Sequence, residues 1–321
     1  MSQSPLRYQI KQLAQRVFPG STVLRAWPLK GGISARMTGI EVQLPDGHMG
    51  KIVLRRLGEW ALEKHLHLAS VGFQTLNLVR RFDIGAAEPL YFDQTGEVFP
   101  DPYFVTEYIE GAPDHSPSDV IRCANRMAGQ LARIHSVNPA DRDLSLLPSQ
   151  AARCRDSFKK LPSKINEKLG ERDVREALAK VWPLPALNPP VLLHGDFWPG
   201  NLIWREGEIV GVIDWEESEV GDPLSDLAIS RLDVFWAYGE AAMQELTATY
   251  ATTTGRDMSQ MPYWDLWAAL RPMQNIAVWA AGSADIGRED MTEESMSAGL
   301  RWFIGQALDA LEPERNSSRD S

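Results

Sequence analysis

The stretch VLLHGDFWPGNLIW, residues 191–204, constrains the fold of this 321-residue chain more than any other segment. Val191-Leu192-Leu193 and Leu202-Ile203-Trp204 are apolar runs bounded by turn residues, which predicts two short buried strands. His194, Asp196 and Asn201 lie between them, and Pro199-Gly200 punctuates the link. An imidazole, an acid and an amide are thereby gathered on a tight loop that emerges from the core. A third short strand is expected over EIVGVIDW (208–215), close to Asp214. A hairpin of this kind can fold back and bring Asp196, Asn201 and Asp214 to one end.

One carboxylate and one amide oxygen suit a hard cation such as magnesium, which takes oxygen ligands and shares phosphates and waters. The other carboxylate can accept a proton from an attacking hydroxyl. Phosphoryl transfer needs that division of labour, because it rests on positioning and charge neutralisation rather than covalent chemistry by the protein. A lone His-x-Asp would be read as turn capping. Three polar residues at these spacings between predicted strands favour the chemical reading.

HGDFWPGNLIW, followed by GVIDWEESEVGDPLSDLA (211–228), resembles the aminoglycoside phosphotransferase and choline-kinase-like family of small-molecule kinases. The resemblance covers roughly residues 20–235. It implies an α+β, bilobal protein-kinase-like fold: an N-terminal antiparallel β-sheet lobe with one main helix, and a larger, mostly helical C-terminal lobe. It also implies that Asp196 is the catalytic base and that Asn201 and Asp214 are magnesium ligands. His194 then holds the loop by hydrogen bonds, and Asp222 and Asp226 are structural acids near a helix start, with a place for Asp222 near the metal left open.

The order of predicted elements agrees with such a chain. A helix is expected over 4–18, then strands over 22–29, 35–44 and 51–57, with PDGH (45–48) as a hairpin turn. A helix over 59–72 ending near Gly72 and strands over 88–93 and 103–109 complete a nucleotide-binding lobe spanning 1–109. A Gly- and Pro-rich hinge (110–117) follows, then a helical catalytic and substrate-binding lobe (118–313) and a polar tail (314–321). In the first helix of that lobe, Ser118 is the candidate cap, and Val120, Ile121, Ala124, Met127, Ala128, Leu131 and Ile134 share one face.

In the first lobe the resemblance calls for a phosphate-covering loop, a cation and a paired glutamate. KGGIS (30–34) supplies Gly31, Gly32 and Ser34, where the backbone can approach phosphates. Strand alternation in KIVLRRL puts Val53 and Arg55 on one face and Leu54 and Arg56 on the other. Arg55 is the candidate phosphate cation, standing where a protein kinase carries lysine, and Arg56 is the expected surface residue. Arginine keeps its charge and grips phosphate bidentately. Glu63 is the expected partner of Arg55, whereas Glu59 reads as a helix-start charge. The interlobe segment PYFVTEYIEG (102–111) would read adenine through the Glu107 carbonyl and the Ile109 amide.

The expected activity is therefore ATP-dependent transfer of the γ-phosphate to a small-molecule hydroxyl, with magnesium. GTP stays open as the donor, and aminoglycoside-, choline- and homoserine-like acceptors are all open. Net charge is −10, which disfavours nucleic acid and suits cationic or neutral partners. Glu217, Glu219 and Asp233 are candidates for binding ammonium groups, and Trp236 and Trp267 for lining a pocket, although aromatic residues at helical spacing are more often core. The rival is a catalytically silent pseudokinase that binds a ligand or partner; its warrant is Arg55 and the sparse glycine loop. A protein kinase is disfavoured because WEESEVGDP leaves little room for an activation loop. Cys123 and Cys154 are the only cysteines, no signal-peptide block opens the chain, and no apolar run reaches membrane-spanning length, so a reducing cytoplasm is expected.

Overall fold

The computed structural model describes residues 5–29, 35–58, 68–140, 142–159, 162 and 164–312. The chain divides into two compact units, Met1–Ala112 with Val210–Glu216, and Pro113–Ile209 with Glu217–Ser321.

The first unit is built on a five-stranded antiparallel sheet of order β1-β2-β3-β5-β4, with β1 Thr22–Pro28, β2 Ala35–Gln43, β3 Met49–Leu57, β4 Pro89–Asp93 and β5 Tyr103–Glu107. Alternation along β3 sorts its side chains as the sequence predicts. Ile52 and Leu54 join helix α1 (Pro5–Val17) in a core with Ile10, Leu13, Ile40, Val42, Phe99, Tyr103 and Val105. Arg55 emerges on the other face, opposite Phe104 of β5 in the register. Arg56 shares the α1 face and departs from the expected surface position. It is half-buried, with its guanidinium 4.8 Å from the centre of the Phe99 ring, so its stem and charge cover an aromatic core residue.

Helix α2 (Leu68–Val79) corrects the expected stop at Gly72. Ala69, Gly72, Leu76 and Val79 are all buried at helical spacing, so the apolar stripe runs straight through the glycine. The cost of one helical glycine is only about 1 kcal/mol, less than the burial of the turns beyond it contributes.

The second unit is mostly helical. Helices α3 (Val120–Ile134), α4 (Gln150–Lys159), α5 (Glu171–Ala179), α6 (Pro223–Tyr238), α7 (Glu240–Thr254), α8 (Met261–Ala269), α9 (Ile276–Asp285) and α10 (Glu293–Leu311) account for most of it. Asp119, one position after the expected Ser118, caps α3 by accepting the Arg122 N–H at 2.9 Å. Its buried face starts at Cys123 and Ala124, leaving Ile121 exposed. Helix α6 is buried almost all round from Pro223 to Leu232 and packs against α7, α8 and α10.

The predicted strands of the opening stretch are present as β6 (Val191–Leu193) and β7 (Leu202–Arg205). β6 pairs antiparallel with β9 (Glu219–Gly221), which the sequence reading left unassigned. β7 pairs with β8 (Glu208–Val212), and the division between the units falls within β8. No helix of the described residues is long and apolar enough to cross a membrane.

Candidate active site

In the second unit, the loop between β6 and β7 is anchored from beneath by α6. Asp226, without exposed surface, accepts the His194 N–H at 2.6 Å and the Gly195 N–H at 2.8 Å. One turn later on the same helix, Ser230 Oγ donates to the Phe197 carbonyl at 2.7 Å. A third donor reaches Asp226 from His135, whose Nε2 lies 3.2 Å away while its Nδ1 lies 2.6 Å from the Tyr250 hydroxyl. Burial keeps His135 neutral, so it donates at Nε2 and accepts from the phenol at Nδ1. Burial alone would raise the Asp226 pKa. The His135 and His194 donors outweigh it and hold the carboxyl below its usual range, so the loop rests on a buried anion.

The turn itself is set by glycines. Gly195 has φ +84°, and a Cβ there would sit 2.1 Å from the Glu217 carbonyl oxygen, so no other residue fits. At Gly200 a Cβ would fall 2.2 Å from the Trp198 indole, which folds over the following turn, Pro199–Asn201.

Asp196 follows Gly195 and is presented at 29% side-chain exposure. Its N–H donates to His194 Nδ1 at 3.2 Å, so His194 braces the loop as expected. Asn201 Nδ2 donates to the Asp196 carbonyl at 2.9 Å and to its Oδ2 at 3.0 Å. That commits the amide nitrogen and leaves the Asn201 Oδ1 as its oxygen for a cation. Asp196 Oδ1 accepts a charged hydrogen bond from Arg271 at 2.6 Å. Arg271 also approaches Asp233 of α6 at 3.8 Å. Burial pushes the Asp233 carboxyl up to about 7, against the pull of Arg271.

In the first unit, Arg55 is nearly buried and lies 3.1 Å from Asp214 Oδ1 and 2.6 Å from Glu216 Oε1. Burial opposes its charge, yet these two carboxylates raise its pKa above the ordinary arginine value. Asp214 has left the strand expected to hold it and sits just beyond β8, at φ +65°, a left-handed conformation that Asp tolerates better than most residues. The preceding chain is fixed by the Val212 N–H donating to the Gly85 carbonyl at 2.9 Å and by Trp215, whose indole donates to the Val212 carbonyl at 2.9 Å. Glu107 ends β5, its amide and carboxylate both bonded to the Glu88 backbone at 2.9 Å, and Ile109 follows as the chain leaves the sheet.

Gly31, Gly32, Ser34 and Glu63 lie outside the described residues. Asp196 and Asn201 are brought into contact; Asp214 belongs to the other unit and contacts Arg55. Asp222 caps α6, accepting the Leu224 N–H at 2.9 Å. Two substrate-side expectations are corrected. Glu219 is buried and held bidentately by Arg153 at 2.5 and 2.8 Å, so it has no carboxylate edge left for an ammonium group. Trp267 is 6% exposed and stacked on Trp182, which makes it core. Sequence reasoning missed Glu216 and Arg271. Glu216 sits beside Asp214 within the quoted motif, whereas LRPMQ around Arg271 carries no motif signal.

Each unit carries a hard oxygen donor of the kind magnesium accepts alongside phosphate oxygens and water: Asn201 Oδ1 in the second, the second Asp214 oxygen in the first. Among the described residues no group of three or more His, Cys, Asp or Glu could hold a metal.

The five-stranded sheet unit and the helical unit together make up a kinase-like phosphotransferase fold. Solved structures carry the same fold. Aminoglycoside phosphotransferase APH(4)-Ia, a thermostable mutant in ternary complex with ADP and hygromycin B, matches with TM-score 0.61 and 15% identity, covering 95% of this chain and 100% of that one. Macrolide 2′-phosphotransferase MphH of Brachybacterium faecium matches with TM-score 0.57 and 18% identity, over 91% and 96% of the two chains. The model of the phosphotransferase enzyme family matches residues 58–274, and the chain belongs to that family. Viomycin phosphotransferase of Streptomyces vinaceus is 29% identical over 246 residues, covering 71% of this chain and 79% of that protein. Acyl-CoA dehydrogenase family member 11 of Homo sapiens is 25% identical over 247 residues, 68% of this chain. The chain spans only 31% of that relative's length.

Proposed function

We propose that this chain transfers the γ-phosphoryl group of ATP to a hydroxyl of a small molecule. The observation that carries the reading is the Asp196–Asn201 pair, held on a loop whose backbone is bonded to a buried carboxylate. Asp196 accepts the proton of the acceptor hydroxyl as its oxygen bonds to the γ-phosphorus. The bond to the bridging oxygen breaks, and ADP departs with the electron pair. Asn201 and Asp214 would hold magnesium, which neutralises phosphate charge when bound. Arg55 is the phosphate cation, paired with Asp214 and Glu216. Glu107 and Ile109 would offer backbone groups to the base, and Gly31, Gly32, Ser34 and Glu63 complete the nucleotide side of the proposal.

The presence of ADP and hygromycin B in the APH(4)-Ia complex supports a nucleotide and a small-molecule acceptor for this chain. A second reading, the silent binding module, draws on Arg55 being paired with Asp214 and Glu216 through one of its guanidinium nitrogens.

Thermal unfolding with ATP or GTP, with and without magnesium, separates the two. A ligand at a hundred times its dissociation constant stabilises by about 2.7 kcal/mol, and that shift is expected with magnesium–nucleotide and lost in Asp214→Ala. Asp196→Asn should keep the shift and lose transfer by roughly 10²- to 10⁴-fold. A nucleotide shift without transfer to any hydroxyl would favour the silent module. A fully active Asp196→Asn protein would overturn the base assignment.

A further inference from the structure

We infer that Arg271 is the acceptor's recognition residue and that the acceptor is an amphipathic hydroxy acid: its hydroxyl meets Asp196, its anionic group Arg271, and its apolar body Trp279 and Trp236. The inference rests on the phosphotransfer reading and deepens it.

Arg271 lies just beyond α8, immediately before Pro272, with 29% of its side chain exposed. A guanidinium has five N–H donors in a fixed fork. Asp196 takes one of them at 2.6 Å, and NH1 comes no closer than 3.8 Å to Asp233. Among the described residues the fork makes no other hydrogen bond, and its second contact with a carboxylate is the longer ion pair to Asp233. Asp196 holds one donor on each oxygen, from Arg271 on Oδ1 and Asn201 on Oδ2. A carboxylate has about four lone-pair sites, so a hydroxyl can still be accepted. The atoms next to that hydroxyl then face the open side of Arg271. An ammonium group there would be repelled, whereas a carboxylate matches the fork bidentately.

The charged groups around Arg271 leave its charge in play. Asp196 neutralises it once. Burial pushes the Asp233 carboxyl up to about 7, which weakens it as a second counter-charge. Glu217 acts on Arg271 only through space.

Beyond the guanidinium lies an aromatic shelf. The Arg271 guanidinium stands 5.7 Å from the centre of the Trp279 ring, and Trp279 meets Trp236 edge-on at 6.3 Å. Both tryptophans are half-buried. Trp236 is fixed by its indole N–H donating to the Met296 carbonyl at 3.1 Å, and a Cβ on Gly299 would come within 3.0 Å of it. Base, cation and shelf are therefore contiguous within one unit. The overall charge of −10 suits cationic or neutral partners, but the group touching the base is an arginine.

The test is calorimetric titration, without nucleotide, of 3-phenyllactate, its methyl ester and 1-amino-3-phenylpropan-2-ol. These probes share a hydroxyl and an aromatic body, and the group beside the hydroxyl is anionic, neutral or cationic. The native chain should bind the acid roughly tenfold or more tightly than the ester or amine, as expected for a charge-assisted contact. Arg271→Gln should abolish that order, Arg271→Lys should restore part of it, and Trp279→Ala should weaken acid and ester alike. The inference is overturned if the amine or ester binds as well as the acid, if the order survives Arg271→Gln, or if the acid does not bind. Magnesium–ATP thermal shifts on the same proteins report on folding and on the nucleotide site. Their absence alongside an Arg271-dependent acid preference would sink phosphotransfer and leave the acid site standing.

Discussion

Asp226 has no exposed surface, yet three donors converge on it: two backbone amides of the loop and the imidazole of His135. Asp226→Asn should therefore do more than remove charge. Its NH₂ would face one of those donors, leaving a buried N–H unsatisfied at a cost of about 1–3 kcal/mol, measurable by urea unfolding. Phosphotransfer should fall with it, because Asp196 lies one residue from the displaced amide. The motif made Asp226 legible as a structural acid. His135 was not legible, since a histidine at the end of an amphipathic helix carries no pattern of its own. Arg271 escaped for the same reason: 75 residues separate it from Asp196.

At the level of single elements, two glycines behave in opposite ways. Gly195→Ala forces a side chain into φ +84° and against the Glu217 carbonyl, so a loss of roughly 2 kcal/mol or more is expected, with activity abolished. Gly72→Ala should be tolerated, because its Cβ would make ordinary contact with Phe104 at 3.4 Å. There the helix gains about 0.5–1 kcal/mol, seen as a higher melting temperature. The two glycines look alike in sequence; one was read as a helix stop and the other as a loop residue. Their different roles come from what stands opposite each. The strand alternation that selected Arg55 over Arg56 needed no such knowledge, because a period of two is set by the backbone itself.

Across the whole molecule, Cys123 and Cys154 are buried at 4% and 1% exposure, and burial pushes their thiols up to about 11 and about 12. Neither should react with a disulfide reagent near pH 8 in the native chain, while both should react after unfolding. These are acids whose folded pKa is raised. Between their unfolded value of 9.0 and the folded 11 to 12 the native state keeps protons that the unfolded state has released. Their contribution to stability is thus lost as pH rises through that window, which denaturant titrations at increasing pH would show as a falling midpoint.

The antiparallel sheet lobe came from the family resemblance, whereas local pattern was enough to read the strands around HGDFWPGN, the alternation in β3 and the carboxylate–amide loop. Each depends on neighbours in the chain: residue type, turn chemistry and a repeat of two or of 3.6. Folding alone decided that Asp214 takes a left-handed conformation against Arg55, that Glu219 is spent on Arg153, and that Arg271 stands on Asp196. Those facts depend on side chains that meet across the chain. A charged residue's role follows from its burial and its partners, and neither is written in its neighbours.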